Sequence, residues 1–152
     1  MTPLIVAVGR SRPGPERVLF DHYAGRLRGG LAVVEVEEKR PLPVAARKAR
    51  EAALILAQVP AGAVLIALDE RGRAWSSPDL ARALDGWRLE ARPAVVFAIG
   101  GADGHGPAVL ERADVKLALG TLTWPHQLVR ALIAEQIYRA QCITAGHPYH
   151  RE

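Results

Sequence analysis

The sequence predicts an α/β fold in which a mostly parallel sheet is flanked by helices. Short apolar segments alternate with helical segments along the whole chain, and this alternation is typical of a parallel sheet. Most of the apolar segments are continuously apolar, as expected of strands that are covered on both faces. No repeat, low-complexity tract or linker is visible, so we expect residues 1–152 to form a single domain.

Five segments have the length and composition of strands. Each is short, rich in aliphatic or β-branched residues and bounded by residues that favour turns or helix starts. The predicted strands are residues 4–8, 31–36, 63–68, 94–99 and 115–119.

One helical segment follows each predicted strand. Apolar residues at helical spacing mark the first, an alanine-rich composition marks the second, and an amphipathic pattern marks the fifth. Ser77 and Pro78 predict an N-cap and a first-turn proline for the third helix, and Pro107 opens the fourth. The predicted helices are residues 15–27, 44–58, 77–87, 107–112 and 127–143.

Cysteine content and hydropathy favour a cytoplasmic protein. The single cysteine, Cys142, has no partner for an internal disulfide, as expected in a reducing compartment. The N-terminal segment lacks the basic region and the cleavage site of a signal peptide. The uncharged stretch 52–68 contains Pro60 and Gly62, so we expect a helix end, a turn and a buried strand there, not a membrane span.

Basic residues are concentrated in the first part of the chain. Residues 1–60 contain ten Lys and Arg against six Asp and Glu, a net charge of +4, whereas residues 61–152 contain ten of each. The planar guanidinium suits phosphate contacts and base stacking, so this half favours an anionic partner such as RNA. An arginine-rich composition is equally typical of a GC-rich genome.

Three segments lie where ligands bind in α/β sheets, beyond the carboxyl ends of strands. Residues 100–106 contain four glycines, which allow backbone N–H groups to approach a ligand closely. Residues 120–126 and 69–72 follow the fifth and third strands. The P-loop and dinucleotide-binding patterns are absent from the sequence, so a cofactor is expected in the C-terminal half. A tight turn without a ligand is the alternative for the glycine segment.

The end of the chain is rich in polar groups and follows the fifth helix directly. Residues 147–152 (HPYHRE) are therefore a candidate active-site wall, with a solvated terminus as the alternative. The spacing of its two histidines to His126 and Cys142 does not match structural zinc sites, so we expect no metal. Arg139, on the last helix, has Glu135 four residues before it and is also placed for a surface ion pair.

Four segments taken together resemble the RlmH family, SPOUT-superfamily methyltransferases that act on a pseudouridine of bacterial 23S ribosomal RNA. They are residues 99–104 (IGGADG), 122–130 (LTWPHQLVR), 135–140 (EQIYRA) and 147–152 (HPYHRE). The resemblance extends over the chain and is weakest between Glu38 and Pro60. Two positions depart from it: Trp124 replaces a smaller aliphatic residue, and Arg10 stands where lysine is common.

The resemblance implies a fold, a cofactor and an assembly. The implied fold is SPOUT-like, with a C-terminal deep trefoil knot, an exception to the rarity of knotted chains. The implied cofactor is S-adenosylmethionine, and the implied assembly is a homodimer in which the last helix and tail of one subunit complete the site of the other. The implied reaction is methylation of pseudouridine N3 in 23S rRNA, on the assembled ribosome. The positions that correspond to cofactor-binding residues are Leu68, Gly100, Gly101, Gly120, Thr121, Leu122, Thr123, Trp124 and Pro125.

The chemistry of the reaction selects a catalytic set. Transfer of an activated methyl group mainly needs orientation, but a uracil-type ring nitrogen must first lose its proton. We expect Arg139, Tyr149 and His150 to form this set, with His150 as the acid/base. Arg139 or Arg151 would stabilise negative charge or hold a phosphate, and Tyr149 would stack on or hydrogen-bond to the base.

Two other classes of function remain open at this point. One is an RNA-binding module that kept the fold without the chemistry. The other is a metal-dependent hydrolase that uses His126, His147 and His150.

Overall fold

A computed structural model describes residues 1–151, and Glu152 lies outside the described residues. Strands and helices alternate along this part of the chain. The strands are β1 (Thr2–Val8), β2 (Ala32–Val36), β3 (Val64–Arg73), β4 (Ala94–Ile99) and β5 (Val115–Leu117). The helices are α1 (Pro15–Ala24), α2 (Val44–Leu56), α3 (Ser77–Leu89), α4 (Pro107–Arg112) and α5 (His126–Ala145).

The five strands form one parallel sheet in the order β2-β1-β4-β3-β5. This confirms the predicted α/β class and the parallel sheet. Because parallel strands point the same way, the segments that follow β3, β4 and β5 leave the sheet at the same edge. These three strands are also neighbours, so their loops meet.

Each face of the sheet carries its own hydrophobic core. Ile5 and Phe97 point into the core shared with α1, α3 and α5, whereas Val6 and Val96 point into the core shared with α2 and α4. Adjacent residues of a strand face opposite sides, and every residue of β4 is buried. This explains why the strands read as continuously apolar.

The ends of several elements differ from the prediction. β3 continues to Arg73 instead of ending at Leu68, because after a bulge Arg73 pairs with Leu117 and accepts a hydrogen bond from Ala118 N–H. β5 ends at Leu117, two residues earlier than predicted. Ser76, not Ser77, caps α3, in a reciprocal pair of hydrogen bonds with Asp79.

Helices α1 and α5 also have new limits. α1 ends at Ala24 instead of residue 27, because Arg26 N–H and Leu27 N–H bond to carbonyls three residues back and tighten the chain into turns. α5 is longer than predicted at both ends and stops at Gly146, whose φ of 72° is left-handed.

Helix α5 packs between α1 and α3. It runs along the sheet from the carboxyl ends of the strands towards their amino ends. Near its start, Arg130 Nη2 donates to the carbonyl of Gly9, which follows the carboxyl end of β1, at 2.9 Å. Near its end, Gln141 exchanges two hydrogen bonds with the backbone of Arg28, ahead of β2. The start of α5 therefore lies at the carboxyl ends of the strands, and its end lies at their amino ends. Within residues 1–151, no helix is long and apolar enough to cross a membrane.

Candidate functional site

A cleft of ≈ 740 Å³ lies at the carboxyl ends of β3, β4 and β5. This volume is within the usual range for small-molecule sites. Its walls are residues 68–71, the segment 99–105 and most of 117–126, with Lys48 from α2 and Val129 from α5. We call it the strand-end cleft.

The strand-end cleft brings together the residues that sequence reasoning assigned to a cofactor, with one exception. Thr121 belongs to the same loop as the others but does not line the cleft. The predicted residues that do line it are Leu68, Gly100, Gly101, Gly120, Leu122, Thr123, Trp124 and Pro125.

The glycine segment after β4 is folded back tightly on itself. Gly104 N–H donates to the carbonyl of Gly101 at 3.0 Å. A Cβ on Gly101 would lie 3.2 Å from Val8 Cγ1 and 3.4 Å from the Glu51 carboxylate. A side chain has no free space here, so the backbone itself forms the wall of the cleft.

Helix α2 supports this glycine segment from behind, through residues that sequence reasoning missed. Arg47 Nη2 donates to Asp103 Oδ2 at 2.7 Å, and the buried carboxyl of Glu51 contacts the site of Gly101. Burial raises the pKa of Glu51, and the nearby Arg47 partly offsets this. These residues lie in the stretch where the family resemblance is weakest, so no motif marked them.

The polar second half of β3 is joined to the loop between β5 and α5, and that loop is also bonded to itself. Thr123 Oγ1 donates to Glu70 Oε2 at 2.9 Å, and Trp124 Nε1 donates to the carbonyl of Leu119 at 3.0 Å. Burial alone would raise the pKa of Asp69, but hydrogen bonds from Arg71 lower it overall. Asp69 is therefore a charged wall of the cleft at neutral pH.

His105 also lines the cleft, although sequence reasoning did not select it. The residue is only 7% exposed, and its Nε2 is 3.1 Å from the carbonyl oxygen of Ala98. Its Nδ1 is buried without a hydrogen-bond partner among the described residues. Burial lowers the pKa of His105, so the ring is neutral. The signal in the sequence that could have identified His105 is its position as the one histidine within the glycine-rich segment 100–106.

The predicted catalytic residues meet in a second place, which we call the tail cluster: Glu135, Tyr138, Arg139, Tyr149 and His150. Arg139 Nη2 donates to Glu135 Oε1 at 2.6 Å, which confirms the ion pair expected from their spacing. Tyr149 OH donates to the same oxygen at 3.0 Å. Arg139 Nη1 is 3.1 Å from His150 Nδ1. One guanidinium thus connects the carboxylate to the imidazole.

Aromatic contacts hold the tail against the helices. The Tyr149 ring lies between the guanidinium of Arg139, 4.8 Å away, and the ring of Tyr138, whose centroid is also 4.8 Å away. Arg26 of α1 stacks on Tyr138 at 4.4 Å. Burial, with hydrogen bonds to Tyr23 and Glu135, raises the pKa of Tyr149. Tyr149 and His150 are half-buried, so this part of the tail is not a solvated terminus.

The strand-end cleft and the tail cluster lie far apart within one chain. His126 borders the cleft at the start of α5, and Arg139 lies thirteen residues further along the helix. At a rise of about 1.5 Å per residue this separation is about 20 Å. A single chain does not bring the predicted cofactor and catalytic residues together.

The same separation keeps apart, within one chain, the three histidines of the metal-dependent hydrolase. His126 lines the cleft, whereas His147 and His150 follow the far end of α5. Among residues 1–151, no three His, Cys, Asp or Glu side chains are grouped so that they could hold a metal ion.

The sheet, the cleft and the C-terminal helix define an α/β protein with a cleft of small-molecule size at the carboxyl ends of its strands. Residues 1–150 match the family model described as "Predicted SPOUT methyltransferase". The chain therefore belongs to the SPOUT methyltransferase family, which confirms the family and the enzyme class predicted from its motifs.

Two relatives with the same name are similar over their full length. The ribosomal RNA large subunit methyltransferase H of Rhodospirillum rubrum is 74% identical over 151 residues, which are 99% of each chain. The protein of that name from Paramagnetospirillum magneticum is 56% identical over 151 residues, again 99% of each chain. Among solved structures, the SpoU methyltransferase AviRb from Streptomyces viridochromogenes, in complex with AdoMet, aligns with 91% of this chain and 57% of its own. Its TM-score is 0.48 at 12% identity.

Proposed function

We propose that this protein methylates N3 of a pseudouridine in 23S ribosomal RNA, with S-adenosylmethionine as the methyl donor. The observation that carries the proposal is the 74% identity, over the full length, with a ribosomal RNA large subunit methyltransferase. The proposed substrate is the assembled ribosome, and the proposed location is the cytoplasm.

The strand-end cleft fits this cofactor. It combines backbone surfaces, a free hydrogen-bond acceptor on His105, and side chains of both charges: Asp69 and Glu70, with Lys48 and Arg71. Such a mixture suits a ligand that has a nucleoside at one end and an amino acid at the other. When bound, S-adenosylmethionine supplies a methyl group activated by a sulfonium. We assign it to Leu68, Gly100, Gly101 and the loop 120–125. Thr121 does not line the cleft, so it would contribute only by holding the backbone of this loop in position.

The tail cluster is the proposed catalytic and base-orienting set. Because Arg139 donates to Nδ1 of His150, Nδ1 is the acceptor and Nε2 of the neutral ring carries the proton. In this arrangement His150 would donate a hydrogen bond to an oxygen of the base and would not take the proton of the ring nitrogen. Arg139 would also stabilise negative charge that develops on a neighbouring carbonyl oxygen. Tyr149 stays neutral because its pKa is raised, so it would orient the base by stacking or hydrogen bonding.

A homodimer is proposed because the chain needs one. The tail cluster is about 20 Å from the cleft along α5, and methyl transfer requires reacting atoms about 3 Å apart. A second copy, with its tail placed over the cleft of the first, resolves this. A symmetric dimer would contain two such composite sites.

The deep trefoil knot is also proposed. Two features support it: the end of β3 lies beside β5, where Arg73 pairs with Leu117, and Thr123 of the loop after β5 bonds back to Glu70 of β3. The chain then returns to the middle of the sheet as α5, between α1 and α3. Membership of the SPOUT family supports the same path.

Complementation between two inactive variants tests the composite site. Gly101→Val removes cofactor binding from the cleft, and Arg139→Ala removes the catalytic guanidinium from the tail. Each homodimer is expected to be inactive on ribosomes that lack the modification. Random mixing of subunits gives about half heterodimers with one intact site each, so about a quarter of the wild-type activity should return.

Two further measurements complete the test. Light scattering should give twice the monomer mass of 16.4 kDa, and nucleoside mass spectrometry of the 23S rRNA should reveal a methylated pseudouridine. A monomer, or mixtures that stay inactive although heterodimers form, would contradict the composite site. Methylation of another nucleotide would contradict the proposed substrate.

A further inference from the structure

We propose that His105 is a specificity-determining residue for the cofactor: its Nδ1 accepts a hydrogen bond from an N–H or O–H group of the bound S-adenosyl ligand. The inference rests on the proposed function, because it takes the strand-end cleft as the cofactor site. It adds a residue that lies within the glycine segment but is not itself a glycine.

The hydrogen bond to the backbone fixes the role of each ring nitrogen. The carbonyl of Ala98 can only accept, so Nε2 of His105 must carry the proton and donate. In a neutral imidazole the other nitrogen then has a lone pair and no hydrogen. Nδ1 is therefore an acceptor, and it can recognise only a donor.

The environment of Nδ1 favours a ligand as its partner. His105 lines the cleft and is largely buried, and its Nδ1 is buried without a partner within residues 1–151. A buried polar atom of this kind costs about 1–3 kcal/mol unless something pairs with it. Because His105 is one of the residues that line the cleft, we assign the missing donor to the ligand that fills the cleft.

Charge near the ring agrees with this assignment. Burial lowers the pKa of His105, and the ammonium of Lys48 adds to this, whereas Asp69 opposes it. The neutral ring keeps its acceptor at physiological pH and places no positive charge beside a cationic cofactor. The donors that an S-adenosyl ligand offers are the adenine amino group, the ribose hydroxyls and the α-ammonium group.

Two substitutions separate the acceptor from the structural hydrogen bond. His105→Gln keeps an N–H group for Ala98 and loses the acceptor at Nδ1. His105→Asn is the matched control, because its amide oxygen can take the place of Nδ1 while the bond to Ala98 is lost. Titration calorimetry with S-adenosylhomocysteine should show about 3- to 10-fold weaker binding for His105→Gln, the effect of one neutral hydrogen bond. His105→Asn should bind within about twofold of the wild type but melt at a lower temperature.

Binding of ligand fragments, together with NMR of His105, identifies the donor group on the ligand. The same measurements distinguish failure of the role of His105 from failure of the proposed function. If adenosine loses affinity in His105→Gln, the donor is on the nucleoside, and if only homocysteine-containing ligands do, it is the ammonium group. The ¹⁵N resonance of Nδ1 in the wild type should move on addition of S-adenosylhomocysteine, as a free lone pair becomes hydrogen-bonded. Unchanged affinity in His105→Gln together with an unmoved Nδ1 resonance would overturn the role of His105 alone. A wild-type protein that binds no S-adenosylhomocysteine would overturn the proposed function, and this inference with it.

Discussion

The strand-end cleft and the tail cluster are built from different parts of the polypeptide. The glycine segment and the β5–α5 loop give the cleft its walls largely as backbone, held in place by the neighbouring strands β3, β4 and β5. The tail cluster is made of charged and aromatic side chains that satisfy one another around the Glu135 carboxylate. The cleft is therefore sensitive to added volume, and the cluster to lost functional groups.

The difference also separates two tasks of the reaction. The backbone walls of the cleft, with charged side chains such as Asp69 and Lys48 beside them, can bind and position a cofactor. The cluster offers a guanidinium, a phenol and an imidazole, and none of these groups lines the strand-end cleft. The cleft provides the space for a cofactor, and the tail cluster provides the proposed catalytic groups. Because one chain keeps them apart, a composite site in a dimer is proposed.

Removal of the tail should have the largest effect. Deletion of residues 147–152 is expected to lower methyl transfer to unmodified ribosomes by about 10²- to 10³-fold, the usual effect of losing a hydrogen-bond donor that stabilises charge in the transition state. Labelled cofactor and purified ribosomes measure it. His150→Ala and Arg139→Ala should each give part of the loss. Calorimetry with S-adenosylhomocysteine is the control and should be nearly unchanged, whereas full activity of the truncated protein would refute the catalytic assignment.

Added volume behind the glycine segment should displace this wall of the cleft and abolish cofactor binding. Gly101→Val would force a branched side chain against Val8 and Glu51, so the increase in melting temperature caused by S-adenosylmethionine should disappear. Gly86→Ala is the matched control, because nothing lies within 4 Å of a Cβ there. The control should bind normally and gain about 0.5–1 kcal/mol of stability. Normal binding by Gly101→Val would place the cofactor elsewhere.

The two ends of α5 should differ in stability. Arg130, buried near the cleft, donates to Glu35 at 2.5 Å and to the Gly9 carbonyl. Arg130→Met leaves the Glu35 carboxylate and the Gly9 carbonyl without their donor, and it should lower the free energy of unfolding by about 2–3 kcal/mol. Loss of one partner from a fully buried ion pair costs more, about 3–5 kcal/mol, but Glu35 is partly exposed. Gln141→Ala, at the tail end, should cost under about 1.5 kcal/mol. Urea unfolding measures both, and equal losses would argue against a firmer anchor at the cleft.

A small dependence of stability on pH should come from His105. Burial lowers its folded-state pKa below the ordinary value of 6.5, so the unfolded chain binds more protons in mild acid. The free energy of unfolding should therefore fall as the pH drops through about 6.5, and His105 should have no effect above that range. His105→Gln should flatten this part of the curve in urea titrations between about pH 5 and 7. An identical slope in the variant would show that another group titrates.

Much of the architecture was predictable because its signals are local. The five strands, the five helices and the parallel class follow from runs such as residues 94–99, since a doubly covered strand must be apolar throughout. The extension of β3 was not predictable, because residues 69–73 are mostly polar and become strand only through pairing with Leu117. The local sequence of residues 69–73 carries no information about Leu117, which lies more than forty residues further along the chain.

The candidate site was predictable where it has motifs. The glycine segment, the loop 120–125 and the tail were all selected from their composition and their positions after predicted strands or helices, and the family resemblance then supplied the roles of individual residues. Lys48, Glu51 and Arg47 were missed because α2 reaches the site only through tertiary packing. His105 was missed because its significance is a lone pair left over by one hydrogen bond to Ala98. Such a property exists only in the folded protein.

Trp124 gives the strand-end cleft an optical reporter of its own. Its indole is 41% exposed at the opening of the cleft, whereas Trp75 and Trp87 are paired with each other, 6.5 Å apart, on the α3 side. A ligand that fills the cleft would change the polarity around one of three fluorophores while the other two provide a constant background. The emission spectrum of the unlabelled protein can therefore follow occupancy of the cleft in a stopped-flow instrument, and Trp124→Phe supplies the blank.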